Sequence, residues 1–237
     1  MKAMILAAGL GTRFKPWTDH HPKALAIVNG KSLLQRNIEY LQRAGIYDVV
    51  INVHHFAGQI VQALGENKGW GSSYVISDET DVVLETGGGL KKAKGLLNSG
   101  AFVLMNVDIL TTLDLRALVA FHTKLQPLAT LAVSDRKTSR YFLFDHLHNL
   151  TGWQNTKTGE EIIARESADR IPKAFSGIHI IEPRIFGLLT QEGKFSIIDA
   201  YLALAGKEII KGFDHSGSAL VDVGKPESVA KAEALFE

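Results

Sequence analysis

Residues 6–18 read Leu6-Ala7-Ala8-Gly9-Leu10-Gly11-Thr12-Arg13-Phe14-Lys15-Pro16-Trp17-Thr18, and Pro22-Lys23 follows shortly after. This stretch decides the fold because it leaves a continuous apolar run, Lys2 to Ala7, that reads as a buried strand ended by Gly9 and Gly11. Glycines directly after a buried strand let the backbone approach a ligand closely and turn its N–H groups toward phosphate oxygens. Arg13 adds a planar, permanently charged fork and Lys23 a mobile point charge, a combination suited to a triphosphate. Two look-alikes fail. A dinucleotide fingerprint needs a third glycine where Phe14 stands, and Pro16 blocks the helix that should begin there. Gly30-Lys31-Ser32 has the tail of a P-loop, but its first glycine would fall at Leu25.

Working outward, strand-like and helical patterns alternate. Ser32 to Ala44 predicts a helix capped by Ser32 and stopped by Gly45. Asp48–Val53 reads as strand, Gly58–Leu64 as helix, Ser73–Ser77 as strand, Gly88–Leu97 as helix and Ala101–Val107 as buried strand. Such alternation predicts an α/β fold, a Rossmann-like, mostly parallel mixed sheet with helices on both faces. After a helix over Leu115–Lys124, short strands at Leu128–Ser134, Tyr141–Phe144 and Leu150–Gln154 predict a small antiparallel insertion. Residues 156–172 read as a polar loop. Strand returns at Phe175–Ile181, helix at Pro183–Leu189 and Ile197–Ala205, strand at Ile209–Phe213 and Ala219–Val223, and a closing helix at Pro226–Phe236.

Composition sets the bounds. The 237 residues, 46% hydrophobic and 22% charged, suit a globular chain, and no linker or repeat divides it, so a single domain over 1–237 is expected. Lys plus Arg total 26 against 25 acidic residues, a net charge of +1, which offers no field for nucleic acid or a membrane surface. There is no cysteine, which excludes disulfides, thiolate zinc sites and cysteine nucleophiles. The apolar Met1–Leu10 lacks a cleavage pattern, and no run approaches the ~18 apolar residues of a membrane span, so a cytoplasmic location is expected.

Three later motifs carry chemistry. Leu84-Glu85-Thr86-Gly87-Gly88-Gly89 opens a predicted helix with glycines that weaken it by roughly 1 kcal/mol each, which makes sense where a flat ligand touches bare backbone. Asn106-Val107-Asp108 ends a buried strand, where open α/β sheets bind ligands, and Val221-Asp222-Val223-Gly224 lies near the C-terminus. Two carboxylates distant in sequence but convergent in space can hold Mg²⁺. His20-His21 and His54-His55 match no His-Glu-x-x-His pattern, His146 and His148 flank a turn, and Tyr141, Phe142 and Phe144 read as sheet packing.

The string from Leu6 to Thr18 with Pro22-Lys23, followed in order by the three later motifs, resembles the signature of the sugar-1-phosphate nucleotidyltransferases, which join a nucleoside triphosphate and a sugar 1-phosphate into a nucleotide-diphosphate sugar. The resemblance extends over nearly the whole chain. It implies the nucleotide-diphospho-sugar transferase fold, with a nucleotide-binding half over about residues 1–112 and a sugar-binding half over about 113–237. It implies nucleotide contacts from Leu6, Ala8, Gly9, Gly11, Thr12, Arg13 and Lys23, and a base site at Thr86 and Gly87 with Glu79 reading the base edge. It places Mg²⁺ on Asp108 and Asp222, and gives catalytic roles to Arg13, Lys23 and Asp108. Asn106, Arg140, Ser176 and Gly177 are the candidate sugar-binding residues, with Arg140 meeting the sugar phosphate or a lactyl carboxylate.

The implied reaction is in-line attack by a sugar-phosphate oxygen on the α-phosphorus, with pyrophosphate leaving. The nucleophile is already an anion, so no general base is needed, and positioning with charge neutralisation is the protein's task. The family's usual Glu-Lys-Pro after the central antiparallel strands is absent from Thr151–Lys157, and Val107 stands where Gly is usual. Short length, the Leu84–Gly89 string and Phe175-Ser176-Gly177-Ile178 are most similar to the branch that transfers uridylate from UTP to N-acetylmuramate 1-phosphate in cell-wall recycling. Mannose-1-phosphate guanylyltransferases are the enzyme alternative, and a catalytically silent nucleotide-sugar sensor the alternative of another class.

Overall fold

The computed structural model describes residues 1–236. In chain order its elements are β1 (Lys2–Leu6), β2 (Ile27–Val28), β3 (Lys31–Ser32), α1 (Leu33–Arg43), β4 (Asp48–Val53), α2 (Ala57–Glu66), β5 (Ser73–Asp78), α3 (Glu85–Lys92), α4 (Lys94–Leu97), β6 (Phe102–Asn106), β7 (Ile109–Thr111), α5 (Leu115–Leu125), β8 (Ala129–Ser134), β9 (Arg140–Phe144), β10 (Leu150–Asn155), β11 (Glu160–Ile163), β12 (Ile171–Ile181), α6 (Ile197–Leu204), β13 (Ile210–Asp214), β14 (Leu220–Asp222) and α7 (Glu227–Leu235).

Strand β1 is continuous and apolar because both of its faces are covered. Ala3 and Ile5 point into one core with Leu33, Ile38 and Leu41 of α1 and Ile60 and Leu64 of α2. Met4 and Leu6 point into the other, with Leu90 of α3 and Tyr201 of α6. Strand side chains alternate with a period of two, so a strand buried on both sides shows no alternation in its sequence. The fold is thus the expected mixed α/β sheet with helices on both faces.

One ten-stranded sheet runs β11-β10-β9-β12-β6-β1-β4-β5, with β8 and β13 joined to it beside β12. The block β6-β1-β4-β5 is parallel and in register: Leu6 pairs with both Asn52 and Asn106, and Val53 with Asp78. The carboxyl ends of four strands therefore meet in one row, where open parallel sheets offer a ligand crevice. Strand β12 runs antiparallel to β6, β8 and β9 and carries the sheet over to the second half.

The structure corrects three expectations. Residues 156–172 are not a loop throughout: they contain β11, and β12 already begins at Ile171. Gly159 (φ +75°) turns the chain, its N–H donating to Asn155 O at 2.9 Å, and the polar run that follows is an outer edge strand paired only to β10. Edge strands carry charges that discourage further pairing, and so look like loops in sequence. The expected helix over 183–189 is a short 3₁₀ segment, Pro183–Gly187. The glycine-bearing helix starts at Glu85 rather than Gly88 and breaks at Ala93 into α3 and α4. No helix among the described residues is long and apolar enough to cross a membrane.

Candidate active site

The loop after β1 is held from both sides. Ala7 N–H donates to Asn52 Oδ1 at 2.7 Å, tying the loop to the end of β4. Phe14 is buried, and its N–H donates to Gly11 O at 2.7 Å. Thr18 Oγ1 donates to the same carbonyl at 2.9 Å, and His55 Nε2 lies 3.3 Å from Thr18 O. The two glycines have different duties. Gly11 has φ +62°, and a Cβ there would lie 2.7 Å from Thr18 Cγ2, so the fold itself requires glycine. A Cβ at Gly9 would meet nothing within 4 Å among the described residues, leaving bare backbone open to a ligand.

The loop returns through Lys23, whose Nζ pairs with Asp108 Oδ2. Asp108 follows β6, and Asp222 is brought beside it by the β7–β14 ladder, in which Asp222 pairs with Ile109 while Val223 N–H donates to Asp108 O at 2.8 Å. Gly224 explains how Arg13 joins them. A Cβ there would lie 2.7 Å from Asp222 Oδ1 and 3.1 Å from Arg13 Nη2, so the guanidinium and the carboxylate meet over a residue without a side chain.

Burial, and then the negative charge of Asp108, push the Asp222 carboxyl above its ordinary pKa, against the pull of Lys23, Arg13 and Arg136. Magnesium is commonly bound by one or two carboxylates together with phosphate oxygens, so this donor set fits it. No third His, Asp or Glu joins a metal-binding group among the described residues.

A cleft of about 510 Å³ opens over the ends of the parallel strands, and Leu6, Ala8, Gly9, Gly11, Thr12, Lys23, Glu79, Thr86, Asn106 and Asp108 line it. Val107 lines it too but is only 6% exposed, its bulk lying in the core. Arg13 and Gly87 are outside that wall.

The three glycines of α3 also meet something other than open space. A Cβ at Gly87 would run into the Phe195 ring, one at Gly88 into Gly193 O, and one at Gly89 would lie 2.6 Å from Glu79 Oε1. Gly87 N–H is bonded to Phe195 O at 2.9 Å, and Thr86 Oγ1 accepts Ile197 N–H at 2.9 Å. In this structure, then, the bare backbone of α3 packs against the protein and fastens the start of α6 close to the cleft.

Glu79 has no exposed surface; Oε1 accepts from Asn52 Nδ2 at 2.8 Å and Oε2 has no hydrogen-bond partner among the described residues. Burial raises its pKa above that of an ordinary glutamate. Asn52 thus links the phosphate-side loop to Glu79, and sequence reasoning missed it because an asparagine inside an apolar strand carries no motif. Lys194, paired with Glu85 at 3.5 Å, and Ser196, the cap of α6, are further cleft residues it missed.

A second cleft, about 470 Å³, shares Asn106 and Ser196 with the first. Arg140 lines it as expected, and so do Asp222, Arg136, Trp153, Glu160 and Asp199. Ser176 does not: it is fully buried, with its hydroxyl 2.7 Å from His215 Nε2. Gly177 (φ +72°) lies behind the wall, where a Cβ would come within 3.0 Å of Asn106 Nδ2. Its lack of a side chain makes room for Asn106.

The paired histidines serve the framework, His54 Nδ1 lying 2.6 Å from Glu79 O and His21 Nδ1 3.1 Å from Gln59 Oε1. Chemically, two adjoining clefts with Asp108 on one wall and Asp222 on the other, flanked by Arg13, Lys23 and Arg136, can bring two anions together.

Comparison with known proteins agrees with this geometry. Residues 2–144 match the family model described as nucleotidyl transferase. The N-acetylmuramate alpha-1-phosphate uridylyltransferase of Caulobacter vibrioides is 32% identical over 98% of this chain and 95% of its own. The mannose-1-phosphate guanyltransferase of Yarrowia lipolytica is 27% identical over 100% of this chain and 64% of its own. Among solved structures, HddC of Yersinia pseudotuberculosis, complexed with GMP-PN, superposes with a TM-score of 0.80 at 22% identity, covering 100% of this chain and 99% of that one.

Proposed function

The chain belongs to the nucleotidyl transferase family, and from that premise we propose that it is a sugar-1-phosphate nucleotidyltransferase that transfers uridylate from UTP to N-acetylmuramate 1-phosphate. The observation that carries the reading is the meeting of two clefts, with Asp108 lining one and Asp222 the other. The triphosphate occupies the glycine-rich cleft and the sugar phosphate the other. An oxygen of the sugar phosphate attacks the α-phosphorus, the bond from that phosphorus to the α–β bridging oxygen breaks, and pyrophosphate departs with the electron pair. No proton has to move.

Gly9 lets the phosphates approach the backbone, Arg13 stabilises the departing pyrophosphate and Lys23 binds phosphate oxygens in the transition state. Asp108 and Asp222 would hold Mg²⁺, which when bound supplies charge neutralisation between the two anionic reactants. Glu79, in the wall of the glycine-rich cleft with Asn52 fixing its Oε1, is the group that would read the base edge. Val107, nearly buried, leaves the cleft open and gives no support to a catalytically silent reading.

Two observations favour this acceptor. The relative that matches end to end acts on it by name, and the sugar-side cleft carries two arginines, Arg136 and Arg140. A sugar with a carboxylate as well as a phosphate suits two cations. The test is pyrophosphate release across UTP, GTP, CTP, dTTP and ATP against several sugar 1-phosphates. UTP with N-acetylmuramate 1-phosphate should be fastest; activity confined to GTP with mannose 1-phosphate would replace this reading with the guanylyltransferase one.

A further inference from the structure

A phosphate entering the sugar-side cleft needs a cation that has hydrogen-bond donors to spare and is held in place before the ligand arrives. The cleft has two arginines, both exposed and both with donors to spare, and they differ in the second respect. Arg140 makes no side-chain bond among the described residues and is exposed. Arg136 sits in the loop between β8 and β9 and donates one bond, from Nη2 to Phe175 O at 2.7 Å. That carbonyl lies where the β12–β8 ladder slips register between Phe175 and His179, and bulged residues of this kind often re-aim groups beside a site. A guanidinium has five N–H donors, so Arg136 keeps most of its donors unpaired among the described residues.

The loop is also staked down next to Arg136. Lys173 Nζ, with its side chain 14% exposed, lies 2.6 Å from Asp135 Oδ1 and 2.5 Å from Asp214 Oδ2. Asp135 N–H donates to Ser216 Oγ at 3.0 Å, and that hydroxyl donates to Asp214 Oδ1 at 2.5 Å. Strands β12 and β13 thereby fix the residue immediately before Arg136. Both arginines share the cleft wall with Asp222, so it is the anchoring of Arg136 that sets it apart.

We propose that Arg136 is the phosphate-binding residue of the sugar-side cleft, presenting its unpaired donors to the 1-phosphate of the acceptor, with the Lys173–Asp135–Asp214 cluster as the positioning device that aims it. The proposal rests on the reaction read above and deepens it. It divides the labour of the two arginines, Arg136 at the phosphate beside the reacting centre and Arg140 at the outer end of the sugar.

The test compares the wild-type chain with Arg136→Gln, Arg136→Lys and Arg140→Gln in steady-state pyrophosphate release, using UTP, N-acetylmuramate 1-phosphate and unphosphorylated N-acetylmuramate as a competing inhibitor. Arg136→Gln should raise the KM for the sugar phosphate about ten- to a hundredfold, the range for a lost charge-assisted hydrogen bond. It should leave the KM for UTP and the inhibition constant of the free sugar unchanged, because that sugar has no phosphate to miss. Arg136→Lys should recover most of the loss, and Arg140→Gln should weaken the free sugar as well.

An unchanged sugar-phosphate KM in Arg136→Gln, an equal weakening of the free sugar, or no recovery with lysine would each overturn the assignment. Should Arg136→Gln fail to fold, Arg136→Lys alone decides: it must fold and stay within about threefold of wild type for the sugar phosphate. A wild-type chain that releases no pyrophosphate with any pair defeats the reaction reading. Calorimetric titration of the sugar 1-phosphate, which needs no turnover, then decides Arg136 by the same ratio between wild type and variant.

Discussion

Around the nucleotide-side cleft the close contacts are made by backbone: Gly11 under Thr18, Gly88 against Gly193 O, and Gly89 against Glu79 and Asn52. Across Asn106, the sugar-side wall is made of side chains, Arg136, Arg140, Trp153, Glu160 and Asp199, carried on a loop, three strands and a helix whose backbone would accept many other residues. Glycine backbone packed this closely is fixed in shape by the fold, and it sets the side chains of that wall, Lys23, Glu79 and Asp108 among them, to hold what all substrates of a reaction class share, the phosphates. A wall of side chains can be altered one residue at a time, which suits the half that selects the acceptor.

The sharpest way to break this division is at the junction, where neither half suffices. Asp108→Asn removes one carboxylate of the pair and the partner of Lys23, and should lower turnover by about 10²–10³ with every substrate pair, at an unchanged melting temperature. Asp222→Asn should do the same from the other wall. If either variant instead changed only the KM of one substrate, the carboxylates would belong to separate sites and the meeting of the clefts would have no chemical meaning.

Next in size is a contrast between glycines of the nucleotide side. Gly88→Ala drives a methyl into Gly193 O, a backbone atom that cannot move aside alone, and should cost about 1–3 kcal/mol of stability in chemical denaturation. Gly9→Ala meets no protein atom within 4 Å among the described residues and should leave stability as it is, while raising the KM for the triphosphate about tenfold. A Gly9→Ala chain with normal nucleotide kinetics would show that the phosphates do not approach this backbone.

The same contrast explains what could be read from sequence. Gly9, Gly11, Arg13 and Lys23 were legible because a strand–loop that must bend tightly and expose N–H groups admits few residue types. Asp108 and Asp222 were legible as strand-end carboxylates, but only the β7–β14 ladder makes them neighbours. Gly87 to Gly89 were recognised as a place of close approach, yet sequence could not tell that the approaching groups are Phe195, Gly193 and Glu79. Arg136 and Trp153 were invisible because an arginine in a loop and a tryptophan in a strand are ordinary there. Ser176 was overvalued for the opposite reason: beside Gly177 it read as a site, although strand alternation turns it inward to His215. The edge strand β11 was lost because its charges serve to prevent pairing rather than promote it.

The smallest expected effects concern stability against pH, and they too separate the halves. His179, on β12 beneath the sugar side, is 1% exposed with Nδ1 2.7 Å from Tyr201 OH, and burial drives its pKa from 6.5 down to about 3. Between those values the unfolded chain holds more protons than the folded one, so this group removes stability as pH falls below 6.5. Glu79, on the nucleotide side, is shifted upward from 4.5 by burial, so the folded chain holds the extra proton and this group removes stability as pH rises above 4.5. Each can contribute a slope of at most about 1.4 kcal/mol per pH unit within its window. Urea midpoints from pH 4 to 9 should therefore show His179→Gln flattening the rise of stability up to pH 6.5 and Glu79→Gln, which keeps an acceptor for Asn52, removing the opposing loss that begins at pH 4.5. If the Glu79→Gln difference were constant with pH, the carboxyl would titrate alike folded and unfolded. The buried site of Glu79 would then have to admit enough water to hydrate its carboxylate.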